Sequence, residues 1–268
     1  MKKLLLALFS LSTLSACQST VLDSQGVDDE AGMSTQYSDS RISGKTPADL
    51  NTQLGAGYIG NGRYDRALVK LNKALQQDPQ HALAHNYLGV LYSRLERPQL
   101  AYKHFNRSVQ LSPNDSSILN NYAIFLCEQK KFDEARVKFK KVINNPLYIN
   151  RAGAYQSAGW CAMENNNLPL SEELYRKSLD ISPNLSGSLF GLAKLNYQQE
   201  NYIQAWDYFQ RYDQVTIPDA DALWLGVNIL NSMSNPDRNL LSSYQLQLKS
   251  KYPESDETKM LYQGKQGY

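Results

Sequence analysis

Cysteine is scarce in this chain, three in 268 residues. That is too few for a disulfide scaffold, so the fold must rest on buried apolar side chains. An excess of one charge is lacking as well. With 28 Lys and Arg against 26 Asp and Glu the formal net charge is +2, which argues against a protein that binds nucleic acid by neutralising phosphates. No apolar run reaches the roughly 20 residues a bilayer-spanning helix needs, and mean hydropathy is −0.51. The chain is nevertheless 42% hydrophobic and 20% charged, the balance of a foldable sequence rather than a disordered one.

Catalytic signatures are also missing. Ser43-Gly44-Lys45-Thr46 ends like a phosphate loop, but Asp39 stands where a glycine is required and no strand pattern precedes it. Gly55-x-Gly57-x-x-Gly60 formally matches a dinucleotide fingerprint, again with no strand before it. His81 and His85 lie four apart and could flank a metal, yet no carboxylate at motif spacing joins them, and His104 stands alone. There is no G-x-S-x-G and no set of nucleophile, base and oxyanion donors. The expectation is therefore a non-enzyme with no cofactor, metal or small-molecule substrate.

The N-terminus is unlike the rest. Met1-Lys2-Lys3 followed by the apolar run Leu4 to Leu11 has the form of an export signal. Leu14-Ser15-Ala16-Cys17 behind it resembles the bacterial lipobox, which implies cleavage after residue 16 and acylation of Cys17. Gln18 rather than aspartate follows the cysteine, which implies sorting to the outer membrane, with the protein anchored there by its lipid on the periplasmic face. Loss of residues 1–16 removes Lys2 and Lys3 and leaves 26 bases against 26 acids, so acyl chains rather than charge would hold the protein on a membrane. Residues 17–46 read as the lipidated cysteine and a flexible tether. From Gln18 to Thr46 there are six serines and five acids with no apolar period, a coil reaching roughly 30 Å.

Beyond Pro47 the chain repeats. Leu54-Gly55-x-x-Tyr58 with Ala67, Leu71, Ala74 and Pro79 returns 34 residues later as Leu88-Gly89-x-x-Tyr92, Ala101, Phe105, Ser108 and Pro113. This set resembles the tetratricopeptide repeat (TPR) signature, in which each unit is a pair of helices whose small residues allow close approach. The windows 48–81, 82–115, 116–149, 152–185, 186–219 and 220–253 follow, with Asn150 and Arg151 inserted. The fold class expected is all-α: a right-handed superhelix of about six TPR helix pairs over residues 47–255, followed by a tail from 256 to 268.

Several stretches are more particular than the repeat. Asn120-Asn121-Tyr122 to Phe125-Leu126-Cys127, Phe132-x-Glu134-Ala135, Pro146-Leu147-Tyr148, Ala158-Gly159-x-Cys161-Ala162, Leu223-Trp224-Leu225-Gly226 and Tyr252-Pro253-Glu254-Ser255 resemble the PilF/PilW family of TPR lipoproteins of type IV pilus biogenesis. The resemblance implies a pilotin, which promotes multimerisation and outer-membrane localisation of the pilus secretin, with secretin subunits as partners. The alternative keeps fold and anchor but serves another envelope complex, in outer-membrane protein insertion or peptidoglycan synthesis.

Two expectations concern particular side chains. The residues of each first helix that lie between its seam positions should face a concave groove: Thr52, Ala56 and Ile59, then Asn86, Val90 and Ser93, then Asn120 and Ile124. That strip is apolar with asparagine donors, and Asp49, Leu83 and Ser117 stand where a carboxylate-clamping lysine would be expected, so an apolar or amphipathic segment suits it. Cys127 and Cys161 fall near the ends of consecutive first helices. Axes 8–10 Å apart, roughly, would let them form a bridge; the alternative is two buried, reduced thiols.

Overall fold

The computed structural model describes residues 45–265 and residue 267. Among these there are thirteen helices and no strand. Twelve form six antiparallel pairs: α1 (Pro47–Gly60) with α2 (Tyr64–Gln77), α3 (Ala82–Arg94) with α4 (Pro98–Leu111), and α5 (Ser116–Glu128) with α6 (Phe132–Ile143). The remaining pairs are α7 (Arg151–Glu164) with α8 (Leu168–Ile181), α9 (Ser186–Gln198) with α10 (Tyr202–Val215), and α11 (Ala220–Ser232) with α12 (Arg238–Lys251). First helices of successive pairs pack on one another, and each second helix also packs on the first helix of the next pair. This stacking makes a TPR superhelix.

Local signals start the helices. Thr46 closes a reciprocal capping box with Asp49 ahead of α1, and Asp115, Asp219 and Asp237 accept backbone N–H groups at the starts of α5, α11 and α12. Pro47, Pro98 and Pro169 lie in first turns, where a missing N–H costs nothing.

Packing within a pair follows one recipe. A small residue on the second helix (Ala67, Ala101, Ala135, Ser171, Ala205) and a large one a turn later (Leu71, Phe105, Phe139, Tyr175, Phe209) are all buried. The facing first helix must come close: a Cβ on Gly89 would sit 2.8 Å from the Phe105 ring, and one on Gly159 would sit 2.9 Å from that of Tyr175.

The turns inside the first five pairs each place one residue at positive φ: Gly62, Glu96, Lys130, Asn166 and Glu200. At the third, Lys130 N–H donates to Cys127 C=O and Lys131 N–H to Leu126 C=O, both at 2.8 Å, which satisfies carbonyls the helix end leaves free.

Two departures interrupt the repeat. The join between α6 and α7 spans residues 144–150, longer than the four residues between other pairs, and Asn150 ends it as the cap of α7, accepting Gly153 N–H at 3.2 Å. The stretch expected as a tail opens instead with a helix, α13 (Asp256–Tyr262). It follows α12 by the usual four-residue join and packs on α11 and α12, so it is the truncated first helix of a seventh unit. Thr258 is buried there, its hydroxyl donating to Tyr252 C=O at 2.8 Å.

Candidate functional site

The first three pairs carry the expected strip, and the structure divides it. Ala56, Ile59, Val90, Ser93 and Ile124 are half-buried. Ile59 leans on the cluster of Ala67, Leu71, Leu88 and Leu91, while Val90 and Ile124 lean on that around Phe105 and Phe125. Thr52, Asn86 and Asn120 are buried instead of lining a groove. First helices of neighbouring pairs pack directly on each other, and this packing covers the place the three residues share. Thr52 turns its hydroxyl to Ala48 C=O at 2.8 Å, and neither side-chain atom of Asn86 has a hydrogen-bond partner. The strip therefore offers apolar contact rather than asparagine donors. Its polar group is a carboxylate: Glu128 accepts the Ser93 hydroxyl at 2.6 Å.

Sequence reasoning missed a second apolar surface on the first pair. Leu54 reads as a packing residue because it repeats as Leu88 and Tyr122, which are 1% and 5% exposed, yet Leu54 is 49% exposed. Leu50 is equally open, where its counterparts Ala84 and Ile118 are buried. Among the described residues, nothing covers the face of α1 that later pairs use to meet the pair before them. Its position in the array, not its residue type, was the missing signal.

The histidines arrange themselves otherwise than their spacing suggests. His81 Nε2 is 2.8 Å from Asp49 Oδ1, and its Nδ1 accepts Ala84 N–H at the start of α3. The His81 contact and the Thr46 backbone N–H hold the Asp49 carboxyl below its ordinary range. His85 pairs not with His81 but with His104, Nδ1 to Nδ1 at 3.0 Å, and the Tyr92 ring stacks on His104 with centroids 5.4 Å apart. Burial, then the neighbouring His85 and Lys103 charges, pull His104 down to about 4, so the pair is neutral at pH 7. Among the described residues no cluster of three or more His, Cys, Asp or Glu is placed to hold a metal.

Cys127 and Cys161 are joined by a disulfide with Cα atoms 5.7 Å apart. It ties α5 to α7 across the long join. Beside it a cleft of about 660 Å³ runs between α6, α7 and α8, lined by Phe132, Phe139, Ile143, Leu170 and Leu174 among others. Cys17 and most of the expected tether lie outside the described residues.

Residues 52–116 and 104–137 match two tetratricopeptide repeat models. Over 207 residues, 77% of this chain and 81% of the relative, the sequence is 32% identical to the type IV pilus assembly protein PilF of Pseudomonas aeruginosa. The chain belongs to the PilF family. The solved structure of Pseudomonas aeruginosa PilF superposes with a TM-score of 0.68 at 30% identity, over 82% of this chain and 98% of that one. PilW, described as a widely conserved type IV pilus biogenesis factor, superposes with a TM-score of 0.72 at 26% identity, over 82% and 100%. Like these relatives, this PilF-family chain is a TPR protein of type IV pilus biogenesis, a system of the cell envelope.

Proposed function

We propose that this chain is a lipid-anchored pilotin: a non-catalytic assembly factor, acylated on Cys17 and held on the periplasmic face of the outer membrane, that binds secretin subunits of the type IV pilus and promotes their multimerisation there. The observation that carries this reading is the apolar surface of the first helix pair. Ala56 and Ile59 are half-buried on the inner strip, and Leu50 and Leu54 are half-exposed on the face that no other pair covers. Exposed apolar surface of this kind is characteristic of protein docking sites, and it lies in a protein whose relatives are named for pilus assembly.

Charging the strip tests the reading. Ala56→Glu desolvates a carboxylate against an apolar partner and is expected to weaken binding by a few kcal/mol with little effect on the fold, whereas Ile59→Asp also gives up the contact of Ile59 with the Leu71 and Leu88 cluster and so costs stability as well. The expected result is loss of secretin multimers and of surface pili, with the variant still folded and still in the outer-membrane fraction. Cys17→Ser is expected to release the protein from that fraction. Normal multimers in a strain lacking the whole protein would overturn the pilotin role. Recovery of a barrel-insertion or wall-synthesis enzyme instead of the secretin on pull-down would favour service to another envelope complex.

A further inference from the structure

The far end of the inner face is already occupied. Helix α13 ends in a left-handed turn: Gly264, at φ +64°, donates its N–H to Leu261 C=O, and Lys265 donates to Met260 C=O. This hydrogen-bonded stop turns the chain back onto α11. There Gly267 N–H donates to Asn228 Oδ1 at 2.8 Å, and the Trp224 indole N–H donates to Gly267 C=O at 3.2 Å. Both backbone groups of one residue are thus paired by two side chains one helical turn apart. Asn228 is preset for this, because its amide nitrogen donates to Trp224 C=O at 2.8 Å and so fixes the oxygen toward the visiting chain. Both side chains are buried with Gly267 in place, so their polar atoms take a backbone group as partner where solvent has little access. In the sixth pair Trp224 and Asn228 hold the places that Asn86 and Val90 hold in the second.

We infer that Trp224 and Asn228 form a peptide-backbone site at the distal end of the inner face, filled in cis by Gly267, and that it accepts in trans an extended, glycine-bearing segment of a partner protein. Glycine belongs to the ligand because the bound residue has φ +112°, a conformation other residues rarely adopt. The site is separate from the apolar surface of the first pair and does not depend on that partner's identity. The cis segment, being tethered, competes at an effective concentration in the millimolar range.

The test uses the full chain and a labelled peptide of sequence Gln-Gly-Lys-Gln-Gly-Tyr, matching residues 263–268. Gly267→Pro removes the N–H and the positive φ, and so vacates the site. This variant is expected to bind the peptide at least tenfold more tightly than the unaltered chain, and Asn228→Leu added to it is expected to abolish binding. The Trp224 indole N–H resonance, assigned through Trp224→Phe, monitors the site directly: it is expected to shift in Gly267→Pro and to return when peptide is added. Absence of peptide binding to Gly267→Pro, equal binding to both chains, indifference to Asn228→Leu, or an unmoved indole resonance would each overturn the inference.

Discussion

In the first helix pair the buried cluster consists of Ala67 and Leu71 shared with Leu88 and Leu91 of the next, and Leu50 and Leu54 stand half in solvent. In the last pair every residue of α11 from Ala222 to Leu230 is buried, the rings of Phe209 and Tyr244 meet edge to face, and α13 closes the end. Terminal units of a stacked solenoid lack one neighbour and must either turn polar or be covered. Among the described residues the distal end is covered and the proximal end is open and apolar. The difference teaches where to look for the partner: the end whose apolar face the described residues leave bare.

The comparison is tested most severely by the cores themselves. Phe209→Ala is expected to cost about 3–5 kcal/mol, since it empties a fully buried site among three other rings. Because repeat arrays can unfold in parts, hydrogen exchange resolved by helix is the appropriate measurement. It should show the last three pairs loosening together while α1–α4 keep their protection. Uniform loosening of all six pairs would mean that the two ends are not separate units.

Replacing both Cys127 and Cys161 by serine is expected to cost somewhat less, about 3–4 kcal/mol by loop-closure entropy for a separation of 34 residues. The same experiment should find the loss concentrated at α5–α7, where the bridge spans the long join. Thiol counting on the denatured, unreduced protein should find neither of these two cysteines free.

Acid should separate the ends in the opposite sense. All three histidines lie between residues 81 and 104, none of them in the distal half. His104 is held at about 4 against an ordinary 6.5, so between those values the unfolded chain takes up a proton that the folded ring refuses. Stability is therefore complete above pH 6.5 and falls as the pH drops toward 4. The partly exposed ring is screened, which limits the loss to about 1–2 kcal/mol. Thermal melts at pH 7 and 4.5 should differ by that amount, and His104→Gln should narrow the gap.

The smallest effect concerns the turns. Glu96→Gly replaces a side chain held at φ +56° by the residue best suited to it, and should stabilise the second pair by about 0.5–1 kcal/mol. A destabilisation would show that the Glu96 side chain makes up for its own backbone strain.

Much of this architecture is legible in the sequence because it depends on local spacing. The 34-residue return of Gly55, Ala67 and Leu71 as Gly89, Ala101 and Phe105 prescribes the helix pair, since only small residues allow the approach that the large ones then fill. Asn61-Gly62 announces its own turn. The same turn at Glu96, Lys130 and Glu200 carries no such signal, because packing of the flanking helices imposes a left-handed backbone conformation that those residues do not prefer.

What the sequence alone determined is the set of contacts made within one repeat: all-α pairs, their seams and the family they resemble. What only the tertiary structure decided is everything set by a neighbouring or distant unit. It buried Asn86 and Asn120 between first helices, exposed Leu54 where Leu88 is covered, paired His85 with His104 and laid Gly267 on Asn228. The reason is physical. A repeat pattern records which residue types pack, but solvent exposure depends on what lies against them, and that is fixed by the order of units in the stack.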